Sequence, residues 1–172
     1  MFNINDLLIG YKITNIKRTL DLIMIEYKFH PISLEEVFKI ESWSYDGYIK
    51  SIYMKPYHTN LNLYKELKGP DFCDGFSVYL GNNLFGLFEY YHRNDYIEIG
   101  LAINPKYVCK GYSRTFIEAG ILFLKNHFNY KHDYVYLTVE KENFQAYHAY
   151  LKSGFQVIDD KKEEVMMRKK IK

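Results

Sequence analysis

The sequence contains little cysteine and proline and no long apolar run. Only two of its 172 residues are cysteine and four are proline. The cysteines, Cys73 and Cys109, do not have the spacing of metal ligands, and so few cysteines are typical of a protein kept under reducing conditions. The longest apolar stretches, such as residues 120–124, are far shorter than the roughly 20 residues that span a bilayer. These absences argue against a metal site and a membrane span.

The sequence also lacks a large excess of charge of one sign. The 23 basic and 21 acidic residues are scattered along the chain and leave a net charge of +2, which gives no sustained positive field for a nucleic acid. Residues 1–6 lack the basic start and long apolar run of a secretory signal. No HExxH pair, Walker loop or Gly-x-Gly-x-x-Gly loop occurs, so metal, kinase and hydrolase chemistry are disfavoured. We expect a cytoplasmic protein with no nucleic-acid or membrane partner.

What the sequence does contain is a globular composition in a chain of single-domain length. Hydrophobic residues make up 48% of it, with 18 Tyr and 12 Phe, and no repeat or linker divides it. We therefore predict one domain over residues 1–172. In its first part, residues 22–29 have the pattern of a strand. Ser33 and Glu36 then form a capping box, which predicts a helix running to about Glu41.

The second half alternates between strand and helix periodicity. Its clearest strand is 96–103, in which the aliphatic residues from Ile97 to Ile103 point to one face and Glu98 to the other. Its clearest helix begins near Gly111 and carries an apolar stripe. The predicted order is β-β-β-α-β-α-β-β, with strands at 76–80, 84–91, 96–103, 134–139, 155–158 and 164–168 and helices from 111 and over 143–153.

The loop between the clearest strand and the clearest helix, residues 104–114, points to a ligand. It places Gly111 and Ser113 where backbone amides are bare, and bare amides at a helix start attract anions. One interpretation is a pyrophosphate held by these amides and the helix dipole, with Lys110 or Arg114 adding charge. The other is a turn glycine that enters an ordinary helix.

A second segment lies downstream, where Asn143, Ala146 and Tyr150 share one face of a helix that ends at Gly154. These residues either line the same groove as the loop or serve as an N-cap, a packing alanine and a core tyrosine. The spacing alone leaves both interpretations open.

Together the two segments resemble the GNAT acetyltransferase superfamily. Its acetyl-CoA loop usually reads Arg/Gln-x-x-Gly-x-Gly/Ala after a strand, and its later helix reads Asn-x-x-Ala-x-x-x-Tyr and ends in Gly-Phe. Here the loop departs from the pattern at Val108 and Ser113. The resemblance covers residues 76–158 and, through the segment 41–48, which is similar to a bacterial subgroup, extends to about Leu22. The second motif is complete, in Asn143, Ala146, Tyr150, Gly154 and Phe155.

The resemblance implies a GNAT fold of the α/β (α+β) class, a mixed, mostly antiparallel central sheet of about six or seven strands with helices on both faces. It divides the single domain into an N-terminal extension at 1–21, an acceptor-side segment at 22–75 and an acetyl-CoA-binding core at 76–158. The implied cosubstrate is acetyl-CoA, without a metal. The residues expected to bind it are Ala102, Ile103, Val108, Cys109, Lys110, Gly111, Tyr112, Ser113, Arg114, Asn143, Ala146 and Tyr150.

The resemblance also implies a mechanism in which an amine attacks the acetyl thioester directly, within a ternary complex. This chemistry needs a base, an acid and an oxyanion donor. Glu98 is the expected base, the alternative being a glutamate satisfied by neighbouring elements. Tyr150 is the expected acid that protonates or hydrogen-bonds the departing sulfur, the alternative being a buried core tyrosine. The amide near Ile103 is expected to hold the thioester carbonyl.

The acceptor is expected to be a small amine or a peptide amine. Its side should come from the first third of the chain, where an aromatic cluster could enclose a cation or simply form core and rim. Two other functions stay open: a non-catalytic module that binds acetyl-CoA or a protein, and an acetyltransferase for protein N-termini, as in the ribosomal-protein enzymes. Residues 1–21 are interpreted as an added strand or a homodimer contact. The expected substrate-binding residues are Trp43, Tyr48, Glu89 and Tyr91.

Overall fold

A computed structural model of the protein describes residues 26–47 and 49–172. The extension at 1–21 and the first half of the strand predicted at 22–29 lie outside the described residues. Two short 3-10 turns, at Pro70–Phe72 and Pro105–Tyr107, interrupt the loops. The strands are β1 Tyr27–Pro31, β2 Asp74–Leu80, β3 Asn83–His92, β4 Ile97–Ile103, β5 Tyr134–Glu140, β6 Gln156–Asp160 and β7 Glu164–Lys170, and the helices are α1 Leu34–Glu41, α2 Lys55–Tyr64, α3 Ser113–His127 and α4 Phe144–Lys152.

The seven strands form one sheet in the order β1-β2-β3-β4-β5-β7-β6. Every neighbouring pair is antiparallel except β4 and β5, which run parallel. The predicted fold class, a mixed and mostly antiparallel sheet with helices on both faces, is confirmed. None of the helices in the described part of the chain combines the length and apolar character that crossing a membrane requires.

Two hydrophobic clusters cover the two faces of the sheet. Alternate residues of a strand point to opposite faces, and accordingly Ile99 of β4 belongs to the first cluster while Ala102 packs against the second. The first cluster is covered by α3, through Phe116 and its neighbours, and by the apolar side of α4. The second is smaller and is built on α1 and the start of α2, where Tyr57 is fully buried.

The elements begin and end close to the predicted positions. The capping box of α1 is confirmed: Ser33 N donates to Glu36 Oε2 at 2.7 Å, and Glu36 N donates to Ser33 Oγ at 3.3 Å. α3 begins at Ser113 rather than at Gly111, because Gly111 has a left-handed φ of 82°. α2 is absent from the prediction. Only one of its ten residues, Tyr57, is buried, so the helix lacks the apolar stripe that marks a helix in a sequence.

Candidate functional site

The candidate site is an opening between the two parallel strands. Glu98 and Tyr136 form the only register pair between β4 and β5 in the described residues. β3 pairs with the whole length of β4, from His92 opposite Ile97 to Gly86 opposite Ile103. Beyond Glu98, β4 therefore keeps one neighbour and loses the other, which leaves a wedge between β4 and β5 that widens toward the end of β4.

The backbone amides of Leu101 and Ile103 point into this opening. Asn104 N donates to Phe85 O at 2.8 Å, which makes this pair a hydrogen-bonded one in the antiparallel ladder of β3 and β4. Hydrogen-bonded and non-bonded pairs alternate. The backbone N–H and C=O groups of the even-numbered residues of β4 therefore bond to β3, and those of the odd-numbered residues point away from β3. The hydroxyl of Tyr45, which donates to Ile103 O at 2.9 Å, reaches the strand from that free side.

The loop after β4 ends in a helix start whose amides have no side-chain partner. Cys109 and Gly111 both have left-handed backbone, with φ values of 60° and 82°. Tyr112 is the N-cap of α3 and makes no capping hydrogen bond, and the first turn of α3 holds no acidic residue. Lys110 and Arg114 on either side are exposed. Free N–H groups at the positive end of a helix dipole, flanked by basic side chains, can bind a phosphate group.

Hydrogen bonds fix this loop in place on both sides. The Asn104 side chain accepts from Lys106 N at 3.0 Å and donates to Leu84 O at 3.0 Å, which ties the loop to β3. Gln145 Nε2 donates to the thiol sulfur of Cys109 at 2.8 Å, which ties the exposed tip of the loop to α4. The two segments that resemble GNAT motifs therefore lie next to each other, as the prediction of a shared groove requires.

The three motif residues of α4 have different surroundings. Asn143 is the N-cap, and its Oδ1 accepts from Ala146 N at 3.2 Å, so the capping role left open by the sequence is present. Ala146 and Tyr150 pack against the first hydrophobic cluster, and the ring of Tyr150 lies 5.9 Å from that of Phe155. Burial raises the pKa of Tyr150 to about 12. Its hydroxyl has no hydrogen-bond partner among the described residues and is free to donate to a ligand.

The expected base, Glu98, is engaged in an ion pair. Arg93 Nε lies 3.1 Å from Glu98 Oε2, and Arg93 Nη1 lies 3.1 Å from Asp71 Oδ2. The Glu98 side chain is 14% exposed. Arg93 therefore balances the charge of this carboxylate within the fold. This agrees with the alternative interpretation, in which neighbouring elements satisfy Glu98, and its role as a base stays a prediction.

A second carboxyl group, that of Glu89, lies on the same face of the sheet without a cationic partner. Tyr57 donates to Glu89 Oε1 and Tyr91 to Glu89 Oε2, each at 2.8 Å, and the thiol of Cys73 faces the same group. Burial raises the pKa of Glu89, and these hydrogen bonds only partly counteract it. Glu89 and Tyr91 are among the residues predicted for the acceptor side. Tyr57 and Cys73 are not, because they come from the unpredicted helix α2 and from the loop before β2.

The remaining predicted residues contribute differently. Trp43 is only 9% exposed and belongs to the second hydrophobic cluster. Of the two interpretations of the aromatic cluster, Trp43 therefore fits the one in which it is a core residue. Tyr48 lies outside the described residues. Ala102 packs its side chain against the second cluster and directs its amide to β3. Within residues 26–47 and 49–172, no three His, Cys, Asp or Glu side chains gather closely enough to hold a metal ion.

Comparison with known proteins identifies one family. A family model described as the acetyltransferase (GNAT) family matches residues 34–155, which is more than half of the chain. No curated protein sequence matches it.

Several solved structures share the fold. A chimera of the spermidine N-acetyltransferase SpeG from Vibrio cholerae and hSSAT is 20% identical with a TM-score of 0.62, over 84% of this chain and 95% of that one. The Campylobacter jejuni N-acetyltransferase PseH in complex with acetyl coenzyme A is 16% identical with a TM-score of 0.60, over 84% and 99%. The Vibrio cholerae spermidine N-acetyltransferase in complex with CoA and spermine is 20% identical with a TM-score of 0.60, over 83% and 92%.

Proposed function

The chain belongs to the acetyltransferase (GNAT) family, and from this premise we propose that it transfers acetyl from acetyl-CoA to a small primary amine. The observation that carries the proposal is the continuity of two features. The inward-facing amides of Leu101 and Ile103 lie at the end of β4, and the loop that follows, residues 104–112, ends at the uncapped start of α3. One extended ligand with an acyl group at one end and a diphosphate at the other would engage both.

The residues around the opening fit acetyl-CoA by their chemistry. The first-turn amides of α3, with Lys110 and Arg114 beside them, are suited to a diphosphate because nothing in the first turn repels an anion. The substitutions at Val108 and Ser113 leave these backbone donors in place. When bound, acetyl-CoA would supply the reactive thioester. We assign its contacts to Ile103, the loop 108–114 and the α4 residues Ala146 and Tyr150.

The chain's own groups would then act on the thioester as follows. The amides of Leu101 and Ile103 would donate to the carbonyl oxygen as negative charge develops on it. Tyr150, whose pKa is raised to about 12 by burial, stays protonated at neutral pH and would donate to the departing sulfur. The amine would attack directly, without a covalent enzyme intermediate.

The acceptor is proposed to be cationic before it reacts. Two carboxyl groups, those of Glu89 and Glu98, lie on the same face of the sheet, and a carboxylate attracts an ammonium group. Several solved structures with the same fold are spermidine N-acetyltransferases, one of them with spermine bound. The carboxyl groups support an amine acceptor and the similar structures support a small one, and the peptide amine stays as the second acceptor class to be tested.

Calorimetric titration of acetyl-CoA tests the first half of the proposal, with desulfo-CoA and ATP as controls. Micromolar binding of acetyl-CoA and no binding of ATP is the expected result. Release of free CoA thiol is then measured with spermidine, spermine, a monoamine and a peptide with a free N-terminus. Binding without thiol release from any of them would favour the non-catalytic module, and no binding at all would contradict the proposal.

Tyr150→Phe tests the second half, with Tyr147→Phe on the same helix as the matched control. If Tyr150 donates to the departing sulfur, its variant lowers kcat by about 100-fold and leaves the dissociation constant of acetyl-CoA unchanged. The control removes a hydroxyl from the neighbouring turn and should change neither quantity. Equal kcat values for the two variants would remove Tyr150 from the mechanism.

A further inference from the structure

The carboxyl group of Glu89 is held by neutral donors alone. Tyr57 from α2 and Tyr91 from β3 each donate a hydroxyl hydrogen bond of 2.8 Å, one to each carboxyl oxygen. Cys73, from the loop before β2, faces the same group. Arg93 lies over the ring of Tyr91, at 5.2 Å from the ring centroid, but it directs its hydrogen bonds to Glu98 and Asp71.

The residues around the Glu89 carboxyl differ in burial. Tyr57 and Cys73 beneath the carboxyl are fully buried, whereas Glu89 and Tyr91 are half-buried. Some surface of Glu89 and of Tyr91 is therefore accessible, although the carboxyl itself is largely desolvated.

Gly100 lets the Glu89 carboxyl lie close to β4. It lies opposite Glu89 in the ladder of β3 and β4 and directly precedes Leu101, whose amide faces the opening. A Cβ added to Gly100 would lie 3.1 Å from Glu89 Oε2 and 3.1 Å from the ring of Tyr91. Any larger residue at this position would crowd both groups, so glycine here brings the carboxyl next to the strand that lines the reaction site.

We propose that Glu89, rather than Glu98, is the general base that takes a proton from the acceptor ammonium, while Tyr57 and Tyr91 hold its two oxygens. This assignment rests on the proposed acetyl transfer to a primary amine. Glu98 differs from Glu89 because Arg93 already balances its charge at 3.1 Å. Glu89 has no such cation among the described residues, so the ammonium of the acceptor is its natural partner.

The protons balance when Glu89 is the base. The ammonium gives one proton to the Glu89 carboxylate, and the neutral amine attacks the thioester carbon to form the C–N bond. The C–S bond then breaks, the sulfur takes the Tyr150 proton, and the second surplus proton on nitrogen returns to Tyr150 through water. Glu89 releases its proton to solvent, so that ammonium and acetyl-CoA yield amide, CoA thiol and one proton.

The surroundings of the Glu89 carboxyl favour its proton-accepting role. Burial raises the pKa of Glu89, which brings it closer to that of an amine than an exposed glutamate would be. The groups facing it are Tyr57, Cys73 and Tyr91. Burial, reinforced by the Glu89 charge, raises the pKa of each of them, so all three stay neutral while Glu89 titrates.

The pH dependence of kcat/KM distinguishes the two glutamates. Glu89→Gln should lower kcat by at least about 100-fold and abolish the acidic limb of the profile, whereas Glu98→Gln should keep that limb at its original pH. Glu66→Gln, which alters an exposed carboxyl on the protein surface, is the control for the substitution itself. Acetyl-CoA affinity and melting temperature are measured for each variant, so that a folding defect is recognised.

Tyr91→Phe gives an independent readout even where Glu89→Gln folds poorly. It removes one donor from the carboxylate, so the acidic limb should move to higher pH. A wild-type protein that acetylates no amine would overturn the proposed function. An active wild type in which Glu89→Gln keeps the acidic limb, or Tyr91→Phe leaves it unmoved, would overturn the assignment of Glu89 alone.

Discussion

The starts of α1 and α3 use the same backbone groups in opposite ways. At α1 the amides are satisfied by the protein itself, since Ser33 and Glu36 bond to each other's backbone and Glu36 also accepts from Tyr79 at 2.8 Å. At α3 the N-cap is Tyr112, which offers no capping side chain, and the first turn holds no acid. The start of α1 is thus closed by its own side chains, and the start of α3 has no side-chain cap.

The difference separates stability from binding at the level of single residues. Closing a helix start removes unsatisfied donors and stabilises the fold. Leaving one open forgoes that stabilisation, which is expected where the donors serve a ligand. Substitutions at the two starts should therefore move different quantities, unfolding free energy at α1 and acetyl-CoA affinity at α3.

Ser113→Asp should have the largest effect, because it places a carboxylate where the diphosphate is proposed to bind. We expect acetyl-CoA affinity to fall about thirtyfold, or about 2 kcal/mol. The same charge favours the helix dipole, so the melting temperature should stay the same or rise. Ser113→Asn, which is similar in size but neutral, is the control and should lose much less affinity. Calorimetric titration measures both, and equal affinities for the two variants would contradict a phosphate site here.

Gly111→Ala should have the second-largest effect, because it strains the backbone of the loop although the added methyl group clashes with nothing. Gly111 has a φ of 82°, and an added Cβ would meet nothing within 4 Å, so the cost is conformational, about 1–2 kcal/mol. Gly81→Ala in the β2–β3 turn is the matched control, with a φ of 59° and equally open surroundings. Both variants should lose similar stability in urea unfolding, but only Gly111→Ala should weaken acetyl-CoA binding. A loss of affinity in both would mean that general destabilisation is responsible.

Ser33→Ala at the start of α1 should change stability and not ligand affinity. Loss of the cap should lower the free energy of unfolding by about 1 kcal/mol and leave acetyl-CoA affinity unchanged. Ser113→Ala makes the same chemical change in the first turn of α3, where serine caps nothing, and should cost much less stability. The comparison would fail if the two alanine variants were equally destabilised.

Local features of the sequence were enough to predict much of this arrangement. The capping box, the alternation along β4 and the loop before α3 each depend on residues within a few positions of one another, and the structure has all three. The motif match correctly predicted the fold class. These signals are local because hydrogen bonding at a helix start and side-chain alternation in a strand are set by neighbouring residues.

The parts that were missed depend on contacts between distant segments. Tyr57 and Glu89 are hydrogen-bonded but lie 32 positions apart in the sequence. Tyr57 also belongs to a helix that lacks the apolar stripe from which a helix is predicted. The opening between β4 and β5 arises because the strands share a single register pair, which no residue pattern in either strand encodes. The choice between Glu98 and Glu89 as base turns on Arg93, whose ion pair becomes visible only in the folded sheet.

The smallest expected effect is the pH dependence at α1. Burial would raise the pKa of Glu36, but hydrogen bonds from the Ser33 backbone and from Tyr79 outweigh it, and the pKa is lowered from its ordinary value of 4.5. A lowered pKa in the folded protein contributes stability above 4.5 that is lost as the pH falls through the folded value. In urea unfolding at successive pH values, Glu36→Gln should therefore lose less stability in acid than the wild type does. Since glutamine can keep the bond to the Ser33 amide, the difference between the two curves isolates the charge, and parallel curves would show that the ionised carboxylate adds nothing to the cap.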